Sequence, residues 1–154
     1  MLPKDVKSEI AAVLDHCVHP HCGAVDALLI VKDRFRWISD ESLSAVAELL
    51  HMSVEQLDSI ATFYNHLYRS PVGRHVILVC DSVSCWIVGY EGIRDYLTRK
   101  LGVGLGETTS DNRFTLLPIQ CLGACEQAPA MMVDEQLYAN LTPESIDEIL
   151  DRYE

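Results

Sequence analysis

Cys80-Asp-Ser-Val-Ser-Cys85 and, after a gap of 35 residues, Cys121-Leu-Gly-Ala-Cys125 decide how this chain is read. Each pair directly follows a short apolar run, residues 75–79 and 114–118, of the kind that forms a buried strand. Two loops leaving two strands of one sheet can lie side by side at one edge and present four sulfurs to one point. Four converging thiolates make a metal site. Zinc accepts four cysteines in a tetrahedron, but its structural sites favour knuckles with two residues between ligands. Loops with four and three intervening residues suit a binuclear cluster whose irons are each held by two sulfurs. The reading is therefore a [2Fe–2S] cluster on Cys80, Cys85, Cys121 and Cys125, with a structural zinc-binding module as the alternative from a different class.

Working outward, Ile93, Tyr96 and Leu97 predict a helix over 90–100 after the first loop. A weaker strand falls near 107–110. After the second loop, residues 131–133 and 136–139 flank Asp134-Glu135 as a hairpin, and Thr142 caps a last helix with Pro143 at its first position and Ile146, Ile149, Leu150 and Tyr153 inward. The order β-α-β-β-β-α suits a small sheet with helices against it.

The first half has a helical period instead. Val6, Ile10, Val13, Leu14 and Cys17 form one stripe, and a second helix over 24–37 is apolar nearly all round, as expected inside a bundle. Ser39 starts a third helix through Leu43, Val46, Ala47 and Leu50. Ser53-Val-Glu-Gln56 is a capping box opening a fourth, which carries Val54, Leu57, Ala61, Tyr64 and Tyr68. Pro71 and Gly73 end this part. The fold class is thus α/β (α+β), with a helical bundle over 1–72 and a sheet domain over 73–154.

Twenty-three acidic against twelve basic side chains leave a net charge of −11, the wrong sign for nucleic acid or anionic lipid. With 49% apolar residues the chain can bury a core, and no apolar run is long enough to span a membrane. The N-terminus has no signal-peptide pattern, so a reducing, cytoplasmic compartment is expected, in which six cysteines call for a metal and not for disulfides.

Cys80-Asp-Ser-Val-Ser-Cys85 with Gly89, and Leu116-Leu-Pro-Ile-Gln-Cys121-Leu-Gly-Ala-Cys125 with Pro129, resemble the thioredoxin-like [2Fe–2S] subunit family (the NuoE type) of respiratory NADH:quinone oxidoreductase, complex I. Ala61-Thr-Phe-Tyr64, Pro71-Val-Gly-Arg-His75, Phe114-Thr-Leu-Leu-Pro118 and Leu141-Thr-Pro-Glu144 extend the resemblance over nearly the whole sequence, least so in its first twenty-odd residues. It implies an electron-transfer subunit with a thioredoxin-like [2Fe–2S] ferredoxin domain, and Cys80, Cys85, Cys121 and Cys125 match the family's ligands. The helical part would dock on a flavin-bearing, NADH-binding partner of the NuoF type, and other peripheral-arm subunits would hold the complex to the inner membrane without insertion of this chain. FMN and NADH would bind the partner. In that family the cluster lies near the FMN, off the main electron wire, and is thought to hold an electron temporarily. Similar subunits serve NAD-linked hydrogenases and formate dehydrogenases, which is the alternative host; a free-standing ferredoxin shuttle would not need the added helices.

The cluster would take the protein's charge to about −13 when oxidised and about −14 when reduced. Adding an electron to so acidic a protein predicts a low potential, tuned by loop N–H groups and by the Ser82 and Ser84 hydroxyls. Other features read more plainly. Cys17 and Cys22 with His16, His19 and His21 could suggest a second metal site, but a polar connector between helices is the simpler reading. Gly102-Val-Gly-Leu-Gly106 follows a helix, the wrong context for a dinucleotide fingerprint, and reads as a turn. Phe63 and Tyr64 are expected in the core more than against a cofactor, although the family resemblance makes part of the helix from Val54 to Tyr68 a candidate partner surface, and His51, His66 and His75 are expected at the surface or an interface. Arg74 and Arg113 are candidate partner contacts. No nucleophile with a base and no opposed carboxylates occur, so the chain carries no complete active site.

Overall fold

The computed structural model describes residues 2–153 and divides into two compact units, Met1–Pro71 and Val72–Glu154. The first is a helical unit: α1 (Lys4–Leu14), α2 (Ala24–Phe35), α3 (Asp40–Leu50) and α4 (Val54–Phe63), with a short 3-10 turn at Pro20–Gly23. Val6, Ile10, Ala27, Leu28, Val31, Leu43, Val46, Leu50, Leu57 and Ala61 form its core, following the sequence stripes. Two caps act as expected: the Ser39 Oγ accepts from the Ser42 N–H, and Ser53 with Gln56 forms a reciprocal capping box.

Three helix ends differ from expectation: α2 stops at Phe35, two residues early, where Arg36 turns left-handed (φ 71°). α1 stops at Leu14, so Cys17 lies in the connector, where its thiol donates to the Val13 carbonyl at 3.6 Å. α4 stops at Phe63 because Tyr64 turns extended (φ −90°, ψ 116°). The returning segment after it is fixed by Arg69, which donates to Asp58 (2.7 Å), to Asp40 (2.6 Å) and to the backbone carbonyl of buried Ile38. The shorter helix leaves Phe63 77% exposed and Tyr64 exposed, not in the core.

The second unit carries β1 (His75–Cys80), α5 (Val83–Ile87), α6 (Tyr90–Leu101), β2 (Glu107–Thr108), β3 (Phe114–Ile119), β4 (Met131–Val133), β5 (Gln136–Tyr138) and α7 (Pro143–Leu150). The sheet order is β2-β3-β1-β4-β5, with β1 and β3 parallel and every other pair antiparallel. A parallel pair requires a crossover, here through α5 and α6. The central strand β1 is buried from Val76 to Cys80, as a strand covered on both faces should be. α6 and α7 are joined through Asp147, which accepts from the Tyr96 hydroxyl at 2.8 Å and pairs with Lys100 at 3.0 Å. Thr142 and Ser145 form the capping box of α7.

At the N-terminal end of β1, His75 is half-buried, bonded to Asp134 at 2.7 Å and edge-on to Tyr153 at 4.9 Å. Arg113, expected as a partner contact, instead donates to the carbonyls of Leu150 (3.0 Å) and Tyr153 and lies over the Phe114 ring. These contacts hold the residues after α7, which is why Tyr153 is half-buried although it lies beyond that helix. The glycines at 102–106 form a turn, with Gly102 (φ +70°) closing α6 and Gly106 (φ +87°) opening β2.

Arg69→Met should lower the stability of the helical unit by about 1–2 kcal/mol, because it strands the buried Ile38 carbonyl while its two carboxylates remain partly solvated. Urea denaturation followed by circular dichroism would show a lower midpoint; an unchanged midpoint would mean the network contributes nothing.

Candidate metal centre

The parallel register sets Cys80 opposite Ile119 at the C-terminal ends of β1 and β3. The Asp81 N–H continues the ladder to the Ile119 carbonyl at 3.0 Å, so the backbone leaves both strands in step. The two cysteine loops therefore emerge side by side. Cys80 ends β1; Cys85 lies on the short helix α5, where the sequence reading had a plain loop; Cys121 follows β3 by two residues; and Cys125 opens a 3-10 turn at Cys125–Gln127. The loop after that turn contains a cis Ala128–Pro129 bond, and the Cys80 N–H donates to the Ala130 carbonyl at 3.1 Å.

The thiols differ in setting. Cys80 and Cys85 are each 2% exposed, whereas Cys121 and Cys125 are open to solvent. The Cys121 and Cys125 sulfurs are 3.8 Å apart. That separation is about what two thiolates need on one tetrahedral metal with bonds of ~2.3 Å. The Cys80 thiol donates to the Gln120 carbonyl of the neighbouring loop at 3.9 Å, which ties the first cysteine loop to the segment just before Cys121. Burial, and then the Cys80 thiol beside it, pushes Cys85 up to about 11. The Gly123 N–H, 3.3 Å from the Cys121 sulfur, holds Cys121 below the usual thiol range, with help from Cys125 and the Ser82 hydroxyl. Cys125 is raised by sharing a proton with Cys121, against a lowering contact from the Ser84 hydroxyl. Gly123 adopts φ +78°, a left-handed conformation that a side chain would strain, and this turns its N–H back onto the sulfur.

Among the described residues, no three His, Cys, Asp or Glu side chains are gathered closely enough for a single metal ion. Sequence reasoning missed that α5 is a helix with an exposed apolar face: Val83, Trp86, Ile87 and Val88 are 53–71% exposed around the buried Cys85. The apolar run in the sequence was its only signal.

A sheet with a parallel central pair and a four-thiol edge defines an iron–sulfur class of small α/β domains. Residues 7–154 match the family model of the thioredoxin-like [2Fe–2S] ferredoxin, and the chain belongs to that family, whose cofactor is a [2Fe–2S] cluster. Relatives named as the E subunit of NADH-quinone oxidoreductase bear this out. The protein from Escherichia coli K12 is 46% identical over 91% of this chain and 84% of its own length, and that from Pseudomonas aeruginosa is 39% identical over 99% and 92%. A solved NAD+-reducing [NiFe]-hydrogenase shares the fold with a TM-score of 0.72 at 21% identity; the match covers 85% of this chain and 22% of that one.

Alkylation of the metal-free, reduced protein should therefore be strongly ordered. Cys121 should react fastest near neutral pH, since its lowered value enlarges the thiolate fraction, and Cys85 slowest, being neutral up to about pH 11 and buried. Mass-spectrometric rates that are equal for the two would contradict this geometry.

Proposed function

We propose that Cys80, Cys85, Cys121 and Cys125 hold one [2Fe–2S] cluster, and that the protein transfers single electrons to and from the FMN of a partner subunit in the NADH-dehydrogenase module of complex I. The observation that carries this is the set of paired thiols at one sheet edge, half of them buried and half at the surface. When bound, the cluster supplies a one-electron store. The protein's own residues do the rest. Buried Cys80 and Cys85 keep water from one side, the Gly123 N–H donates to the Cys121 sulfur, and the exposed Cys121 and Cys125 leave a short path to a partner. A hydrogen-bond donor at a thiolate stabilises the added negative charge, offsetting part of what the acidic chain opposes.

The host reading is supported by relatives at 39–46% identity that carry the name of that NADH-quinone oxidoreductase subunit. No helix among the described residues is long and apolar enough to cross a membrane, in keeping with attachment to the inner membrane through other subunits. The flavin-bearing subunit would cover the α5 face, because a short electron path requires the partner to close over Cys85 and the two exposed thiols. Phe63 and Tyr64, exposed at the end of α4, are a second apolar contact of the same kind.

Anaerobically purified protein should be brown, carry two irons per chain and give a spin-half EPR signal with dithionite. Changing Cys80, Cys85, Cys121 or Cys125 to alanine should abolish the signal; a colourless wild-type protein holding one zinc would overturn the reading.

Ile87→Asp should leave the iron content intact but weaken copurification of the flavin-bearing subunit about tenfold, the loss of one well-buried interface residue. Undiminished copurification would place the partner elsewhere, and recovery of a hydrogenase or formate dehydrogenase subunit would change the host.

A further inference from the structure

The six cysteines fall into three pairs along the sequence, and the structure gives the pairs different surroundings. In the helical unit, Cys17 turns its thiol back onto the Val13 carbonyl at 3.6 Å. At the sheet edge, Cys80 turns toward the Gln120 carbonyl at 3.9 Å, and both Cys80 and Cys85 are buried. Cys121 and Cys125 differ from both pairs. They are exposed, and their sulfurs face each other at 3.8 Å. The left-handed turn at Gly123 (φ +78°) folds the intervening segment so that these two side chains meet. A change of χ1 moves a cysteine sulfur by up to ~3 Å, more than this pair lacks to bonding distance. Solvent exposure lets a small oxidant reach either sulfur.

We propose that Cys121 and Cys125 of the metal-free chain close into a reversible disulfide under oxidising conditions, and that this bond blocks metal loading at the four-thiol edge until a dithiol reopens it. The block rests on the ligand reading given under the proposed function; the disulfide itself rests on the geometry of the pair. The co-reactant is a low-molecular-weight disulfide such as glutathione disulfide. One thiolate of the pair attacks a sulfur of that molecule, which forms a mixed disulfide and expels one glutathione. The other thiolate then attacks the protein sulfur of the mixed disulfide and expels the second glutathione. Two electrons pass from the cysteine pair to the oxidant, and the two thiol protons end on the released glutathiones. Bridged sulfurs no longer serve as ligands, because a metal takes the free thiolate. Burial slows the same reaction at Cys80 and Cys85, so the exposed pair closes while the inner pair stays reduced.

The test exposes the full-length, metal-free protein to glutathione disulfide at neutral pH, blocks the remaining thiols and digests with trypsin without reduction. Cleavage after Lys and Arg places residues 8–32, 75–94 and 114–152 on separate peptides, so mass spectrometry reads each cysteine pair by itself. The 114–152 peptide should lose two hydrogens at least about tenfold faster than the 75–94 peptide, the effect of exposure against burial. Cys121→Ser or Cys125→Ser should instead keep one glutathione adduct on the remaining cysteine. Cobalt(II), followed by its thiolate absorption and added without reductant, should bind the reduced chain and bind the bridged chain about tenfold less, with binding restored by dithiothreitol. Equal or faster oxidation of the 75–94 peptide, or glutathione adducts on wild-type 114–152 that never close, overturns the disulfide. Undiminished cobalt binding to a chain whose 114–152 peptide is still bridged overturns the block. Reduced protein that binds no cobalt overturns the ligand reading and the block with it, while the disulfide is judged on the peptide masses alone.

Discussion

The parallel pairing of β1 with β3 is the constraint on which the rest of the sheet unit depends. Six residue pairs in register, from His75 opposite Phe114 to Cys80 opposite Ile119, make both strands end at the same level. A slip of one residue would invert every side chain of a strand relative to its neighbour, and β1 is buried on both faces, so the register is strongly held. Because both strands run the same way, both following loops leave from the same edge. That is how cysteines 41 positions apart in sequence, Cys80 and Cys121, come to lie at the same end of two neighbouring strands. Parallel strands demand a crossover, and its first turn, α5, carries Cys85.

The two ends of the strand pair have separate duties. At the beginning of β1, His75, Asp134, Arg113 and Tyr153 hold the hairpin turn and the residues after α7 against the sheet. At its end, the thiols and loop donors stand where a metal group and a partner can both reach them. Keeping the fastening contacts away from the reactive edge lets that edge remain partly exposed. The acidic balance of the protein and the buried placement of Cys80 and Cys85 disfavour added charge; the Gly123 N–H at the Cys121 sulfur favours it.

The helical unit illustrates how far local patterning carries. Its apolar stripes and caps specified helices at the observed starts, because an N-cap is a local hydrogen bond between residues three apart. Helix ends were harder to read. α4 continues by pattern to Tyr68, but Arg69 draws the returning segment onto Ile38, Asp40 and Asp58, and the longest of these bonds spans 31 positions. No local rule weighs such a contact. The same holds for Arg113, whose charge suggested a partner surface and whose geometry serves the C-terminal residues instead.

By itself, the amino-acid sequence determined the element types other than the short helix α5, the capping residues, the four-cysteine pattern and the family, because these depend on near neighbours and on motif spacing. Only the tertiary structure decided which thiols are buried and which exposed, that Ser82 caps no helix, and that α5 shows an apolar face beside the site. Those properties arise from strand register and from contacts between distant segments, and a one-dimensional pattern contains neither.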